Sequence, residues 1–397
     1  MRAFGCRRKK SALMPTRTAI TIFQAHRMDR WLCFGVVLIW LAGCAPRADM
    51  VPDAAALTGE IIVPVYVGTT RAQETAGGWS SKFAGPLTYA RVDVSVPKTR
   101  RPGIVMLPGM HPDPDRHFLT REVVSFSGRA AFREEVARAL VSDRITEKEV
   151  VVTIHGFNNT LGDGVFRTAQ MIRDFDIDTL TVHYAWPSRG APLGYAADRD
   201  AVLIARDGLE QMLEDLGRAG ARDIVLVAHS MGAQLTMEVL RQMAIRKDEA
   251  MLSRISAVVL LSPDIAPSVF RAQAEAIGDL PDPFVIFTSQ NDPALRLSAR
   301  LTGVPRRLGN ITGVEEVAGL NVTVINLSSA QDAASNHLAA LTSPSVISFL
   351  KQTEAVRRNL ETDPSGRAGL LPGTMLLAQE ATAIMLAPVA LMERAGN

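Results

Sequence analysis

The sequence predicts an α/β fold: a mostly parallel, doubly wound sheet with antiparallel strands at its amino-terminal edge and helices on both faces. Three observations carry this. Six short apolar runs follow one another from residue 150, namely Val150–Ile154, Leu180–Tyr184, Ile224–Ala228, Ala257–Leu261, Phe284–Thr288 and Val322–Asn326. They are rich in β-branched or aromatic residues and bounded by turn residues, the signature of strands buried on both faces. Between two of them, Asp198–Leu216 has helical periodicity. Val202, Ala205, Leu209, Met212, Leu213 and Leu216 share one face, and Gly217 follows as a stop. Alternating strands and helices give a parallel sheet. Upstream, residues 61–67 and 89–96 read as strands. Val92, Val94 and Val96 alternate with Asp93 and Ser95, as in an antiparallel strand wet on one face. Gly77-Gly78 marks a loop between these two strands. Another loop with Pro108, Pro112 and Pro114 leads to a helix expected over 129–140.

Composition narrows the chemistry. The chain has 397 residues, with 43 Lys plus Arg, 41 Asp plus Glu, and three cysteines. Cys6, Cys33 and Cys44 all lie in the first 44 residues. The rest of the chain can therefore hold neither a disulfide framework nor a cysteine-ligated metal. A formal charge of +2 gives no reason to expect nucleic acid as a partner. The stretch from His111 to His117 offers metal-type ligands, but Pro112, Pro114 and irregular spacing make it a loop.

The amino terminus reads as a leader. Residues 1–30 carry eight basic residues and one acid, Asp29, and Trp31–Ala42 is an uncharged apolar run of 12 residues. That run is short for a bilayer span and suits a signal-peptide core. It ends Leu41-Ala42-Gly43-Cys44, which resembles the lipobox of bacterial lipoproteins. The resemblance implies cleavage before Cys44, lipidation of Cys44 and an envelope location, facing the periplasm from either the inner or the outer membrane. Without its leader the chain has 35 basic and 40 acidic residues, a net −5. The leader is long, and Met28 would be a more usual start than Met1. The expected organisation is a signal peptide over 1–43, lipidated Cys44 with a Pro/Ala-rich tether over 44–59, a domain over 60–350, and a helical or apolar extension over 351–397. Within the extension, residues 368–392 are apolar but broken by Pro372, Gly373 and Pro388, so packing on the domain is favoured over a membrane span.

The chemical signal is the strand Ile224–Ala228 running into His229-Ser230-Met231-Gly232, with a helix starting at once. This resembles the nucleophile elbow of α/β-hydrolases, with Ala228 in place of the first glycine. A serine in a strained turn needs small residues two positions to either side, and helix entry aims N–H groups at it. If Ser230 is a nucleophile it needs a base. Of seven histidines only His337 follows it. His337 lies in the polar loop after Val322–Asn326, where the fold's order of serine, acid and histidine puts the base. Two acids compete for the third place. Asp292 follows Phe284–Thr288, and Asp264 follows Ala257–Leu261. The usual hydrolase acid follows the penultimate strand, which favours Asp292. For the oxyanion, Met231 N–H is one expected donor. Phe157 N–H, in the His155-Gly156-Phe157 loop after Val150–Ile154, is the other.

More of the chain fits. Residues 67–71, Val152–Asn158, Tyr184–Gly190, Asp198-Arg199, Ala228–Gly232, Ser262–Ile265 and Ser289–Leu295 look like a bacterial family of α/β-hydrolases long catalogued as a domain of unknown function. The resemblance spans about residues 60–350. It implies a serine-hydrolase fold and no particular substrate. Trp186 is expected either to line a pocket or to pack in the core; Arg189 either meets an anionic substrate or pairs with Asp198 or Asp200. Only about 20 residues separate Asp264 from the next strand, room for one helix and no large lid, which suits soluble or surface-presented esters. The expected activity is hydrolysis of carboxylic esters or related acyl compounds, needing no cofactor and no metal. The alternatives are acyl transfer or thioester cleavage with the same triad, or a non-catalytic lipoprotein that binds through a hydrolase scaffold. No motif sets the oligomeric state.

Overall fold

The computed structural model describes residues 47–48, 50–74, 78–141, 148–313, 315–328, 337–348, 350, 375–379 and 383–387. Cys44 and the leader lie outside these residues, as does most of the polar loop before His337. Among the described residues eleven strands form one sheet. They are β1 (Ile61–Gln73), β2 (Trp79–Val96), β3 (Leu119–Ser125), β4 (Glu149–Ile154), β5 (Leu180–Ala185), β6 (Asp223–His229), β7 (Ile255–Leu261), β8 (Phe284–Thr288), β9 (Thr323–Asn326), β10 (Met375–Gln379) and β11 (Ala383–Ala387). Their order is β11-β10-β9-β8-β7-β6-β4-β5-β1-β2-β3. Strands β4 to β9 pair in parallel, and β1 joins β5 in parallel while pairing antiparallel with β2. This is the mixed, mostly parallel sheet the sequence predicts.

Strand alternation splits the core between two faces. Val150, Val152 and Ile154 of β4, with Leu226 and Ala228 of β6, pack with α1 (Arg129–Ala139), α3 (Tyr195–Arg218), α4 (Met231–Ile245) and α6 (Pro267–Ile277). The other face meets α2 (Leu161–Asp174) through Val63, Val65, Val67, Leu161, Val165 and Phe166. A turn of helix, α5 (Glu249–Leu252), leads into β7. Residues fully removed from water on both faces explain why these strands lack polar alternation. The chain steps from β4 to β5, then crosses back over β4 to β6. The carboxyl ends of β4 and β6 thus flank a topological switch point, where open α/β sheets leave a crevice for ligands. α6 is the one helix between Asp264 and β8, as the short spacing predicts.

Three expectations need correction. Residues 119–125 form β3, where a continuing loop was expected; β3 adds antiparallel to β2 with a bulge between Asp93 and Val94. Thr323–Asn326 does not end the sheet: the extension after 350, expected to be helical or apolar and to pack on the domain, contributes β10 parallel to β9 and β11 antiparallel to β10. Finally, residues 47, 48 and 50–58, expected to serve as a tether, are docked on the domain. Ala48 N–H donates to Asp163, Asp53 N–H donates to the Thr120 carbonyl, and Asp53 caps a turn over Ala54–Thr58 that buries Ala56 completely.

Candidate active site

Ser230 stands between β6 and α4 with φ 53° and ψ −118°. A positive φ at a non-glycine residue is strained and persists only where the surroundings fix it. They do. Ser230 N–H donates to the Leu261 carbonyl at 3.0 Å, and Asp264 N–H donates to the Ser230 carbonyl at 3.1 Å. Gly232 is required by close approach: a Cβ there would lie 2.4 Å from the His155 carbonyl oxygen. Ala228, completely buried, fills the place of the elbow's first glycine.

The loop after β4 lies directly against this turn. A Cβ on Gly156 would be 2.7 Å from Ser230 Cβ and 2.6 Å from His229 Nδ1. Phe157 follows, half-buried, its ring edge-on to Tyr195 at 5.4 Å. Among the described residues Phe157 N–H and Met231 N–H are given no backbone acceptor outside the regular elements. The loop is held by side chains from three directions. Asn159 Nδ2 donates to the Phe157 carbonyl at 2.8 Å. Asp198 accepts from Asn158 N–H, from Ser188 Oγ at 2.6 Å and from Arg189 N–H at 2.7 Å. Arg71, 2% exposed, donates to the carbonyls of Asn159 at 3.0 Å and Ser188 at 3.1 Å. Its burial drops its pKa to about 10, and burial likewise raises that of Asp198. Arg47 adds bonds to the Asn158 carbonyl and Oδ1 and to the Gly190 carbonyl.

His337 Nδ1 bonds Asp292 Oδ2 at 2.6 Å. The Asp292 carboxylate is fully buried, and its other oxygen accepts from Leu295 N–H at the start of α7 (Pro293–Thr302). A short helix, α8 (Ala339–Thr342), follows His337. His229 packs under His337: ring centres are 4.6 Å apart, and His229 Nε2 bonds the His337 carbonyl at 3.2 Å. Burial, with the neighbouring His337, lowers the His229 pKa well below the usual histidine range.

Asp264, the other acid considered, is occupied elsewhere. Arg307 Nε lies 2.9 Å from its Oδ1, Ser298 Oγ donates to the same oxygen, and Tyr195 OH donates to Oδ2 at 3.0 Å. Trp186 packs in the core, completely buried, with Nε1 donating to the His155 carbonyl. Arg189 meets Asp198 through its backbone N–H, and its side chain is exposed. Ser230, Gly156-Phe157 and Met231 lie at the carboxyl edge of the sheet, Gly156 is close against Ser230, and His229, next to Ser230, packs on His337, which holds Asp292. The sequence reading missed Arg47, Arg71, Tyr195, His229 and Arg307 as supports. Only Arg71 and His229, each inside a quoted motif, carried a signal. The others are single polar residues whose partners lie far away in sequence.

Comparison with known proteins finds distant solved structures and one family. An esterase B from Lactobacillus rhamnosis is 16% identical, with 57% of this chain and 82% of that one covered and a TM-score of 0.34. A thermostable esterase from Pseudomonas putida is 12% identical, covering 75% and 84%, TM-score 0.37. An esterase from Pyrobaculum calidifontis is also 12% identical, covering 78% and 88%, TM-score 0.34. No curated protein matches the chain. A family model matches residues 128–357, more than half of the sequence, a span that includes Phe157, Ser230, Met231, Asp292 and His337. The chain belongs to that family, described as "Alpha/beta hydrolase of unknown function (DUF900)".

Proposed function

We propose that the protein is a serine hydrolase of carboxylic esters or related acyl compounds, lipid-anchored through Cys44 in the bacterial envelope and facing the periplasm. The observation that carries the reading is the presence, at one edge of the sheet, of a positive-φ serine at a strand-to-helix turn and of a histidine whose Nδ1 is held 2.6 Å from a buried carboxylate. Ser230 Oγ attacks the acyl carbon while His337 Nε2 takes its proton. Asp292 fixes the ring tautomer and stabilises the imidazolium. The carbonyl oxygen becomes an oxyanion facing the N–H groups of Met231 and Phe157. Collapse expels the alcohol, which takes the proton from His337, and leaves an acyl-Ser230 ester. Water, deprotonated by His337, then releases the acid and restores the serine. A thioester or an acceptor other than water would use the same parts.

A fluorophosphonate probe tests the reading. The folded protein is expected to label, and Ser230→Ala to lose labelling together with hydrolysis of p-nitrophenyl esters. Labelling that survives Ser230→Ala would refute it. For the anchor, Cys44→Ser is expected to move the protein from the membrane to the soluble fraction.

A further inference from the structure

The first described residue after Cys44 is bonded to the candidate active site. Arg47 Nη1 and Nη2 donate to the Asn158 carbonyl at 3.0 Å, Asn158 Oδ1 at 2.7 Å, the Gly190 carbonyl at 3.1 Å and Asp163 Oδ2 at 2.9 Å. Asn158 is the neighbour of Phe157, the proposed oxyanion donor. The next residue is seated as firmly: Ala48 N–H donates to Asp163 Oδ1 at 3.1 Å, and a Cβ on Gly162 would lie 2.4 Å from the Ala48 carbonyl oxygen. This segment therefore has no slack. Three residue steps separate Cys44 from Arg47, at most about 11 Å of extended chain. A lipid on Cys44 would bring the membrane surface near the loop that carries Phe157, at most that reach plus the length of the Arg47 side chain whose Nη atoms touch the loop.

The same edge of the sheet presents apolar side chains in the form a bilayer surface accepts. Leu193, in the turn after β5, is 87% exposed. On α7, Leu297 and Leu301 are 56% and 61% exposed, one helical turn apart, flanked by exposed Arg296 and Arg300. Scattered exposed leucines need no explanation. These are not scattered. Tyr195 OH bonds Ser298 Oγ at 2.7 Å, which ties the Leu193 turn to α7. Exposed Arg189 lies on the same loop as Gly190, which Arg47 holds. Leucines with interleaved arginines suit the boundary of an anionic membrane, where the aliphatic groups insert and the guanidinium groups stay among the headgroups.

We propose that the carboxyl edge of the sheet rests on the membrane that holds Cys44, and that the substrates are acyl esters presented by that membrane. The inference rests on the serine-hydrolase and lipid-anchor readings above and adds to them the substrate's location. A connection of three residue steps excludes a reaching role, in which the domain would sample the periplasm at a distance. It favours esters whose acyl chain partitions into the bilayer.

The test uses the mature lipidated protein in vesicles of phosphatidylglycerol and phosphatidylethanolamine. One fluorogenic substrate, 4-methylumbelliferyl palmitate, is dissolved in the vesicles; another, 4-methylumbelliferyl acetate, is in the bulk water. The triple variant Leu193→Glu, Leu297→Glu, Leu301→Glu is expected to lose vesicle-ester turnover by about tenfold or more, as apolar insertion is replaced by repulsion. Acetate hydrolysis and thermal midpoint should stay at the wild-type level. A second variant inserts about 30 Gly/Ser residues between Pro46 and Arg47, a flexible reach of roughly 30 Å. It should also lose palmitate turnover and keep acetate turnover. Wild-type palmitate turnover in both variants overturns the inference and leaves the hydrolase reading standing. So does a wild type that cleaves acetate alone. A wild type that cleaves neither ester and takes no fluorophosphonate label overturns the hydrolase reading itself. An unlipidated Cys44 overturns the anchor.

Discussion

Two neighbouring strands each end in a buried aspartate, and the two carboxylates do different work. After β7, Asp264 has its oxygens taken by Arg307, Ser298 and Tyr195, and it reaches the nucleophile only through its backbone N–H to the Ser230 carbonyl. After β8, Asp292 gives one oxygen to the cap of α7 and the other to His337 Nδ1. Their burial is nearly equal, 3% and 0% exposed. What separates them is the partner. An acid already neutralised by a buried guanidinium holds architecture together; one facing an imidazole can set that ring's tautomer and charge.

Replacing the carboxylate at each position should separate the two. Asp292→Asn keeps a side chain that can cap α7 but leaves Nδ1 of His337 without an anionic partner. We expect kcat to fall by about 10⁴-fold with little change in thermal midpoint, the scale seen when a triad carboxylate becomes an amide. Asp264→Ala should do the reverse. It strands the buried Arg307 charge, at a cost of about 3–5 kcal/mol of stability, while kcat of the protein that remains folded falls far less. Denaturant unfolding and esterase turnover on both variants check the contrast. If Asp264→Ala is folded and inactive while Asp292→Asn is active, the assignment is exchanged.

Gly156 belongs to neither acid and tests the ground between them. Gly156→Ala forces a Cβ to within 2.6 Å of His229 Nδ1 and 2.7 Å of Ser230 Cβ. The loop must retreat and carry Phe157 N–H, the proposed oxyanion donor, with it. Loss of one such donor costs about 10²–10³ in kcat. Weaker binding of a trifluoromethyl ketone, whose adduct carries the oxyanion, would accompany it; unchanged ketone affinity would remove Phe157 from the role.

The site was legible where local chemistry repeats a rule of the fold. A strand running into Ser230, a His-Gly after an earlier strand and a lone downstream histidine can be read from one chain. The choice between Asp292 and Asp264 rested on strand order, because Arg307, Ser298 and Tyr195 come together only in three dimensions. β3 was hidden by its bulge: opposite the Asp93/Val94 irregularity an extra residue, Arg121, breaks the period-two alternation of Leu119–Ser125. Residues 47–58 look like a tether by composition, since a Pro/Ala-rich stretch has no periodicity with which to announce docking. Arg47 finds its partners more than a hundred residues away.

The smallest effect expected concerns three histidines that the chemistry leaves aside. His155, His183 and His229 are buried on or beside the sheet, and burial lowers all three pKa values, that of His183 to about 3. Arg71 reinforces this at His155 and His183, against the carbonyls of Gly156 and Trp186 that face the His155 ring nitrogens. In the unfolded chain each would titrate near about 6.5. Below that pH the unfolded state binds protons that the folded state refuses, so stability falls as pH drops from about 6.5 towards 3 and is unaffected above. His183 contributes up to about 1.4 kcal/mol per pH unit within that window. Carboxylates also titrate there, so the informative quantity is the difference between wild type and His183→Asn. Asparagine can still meet Thr153 Oγ1, the 2.8 Å partner of His183 Nδ1. The stability of His183→Asn should therefore fall less steeply than that of wild type between pH 6.5 and 4, by one proton's worth of slope. Parallel profiles would mean that His183 takes up its proton as readily folded as unfolded.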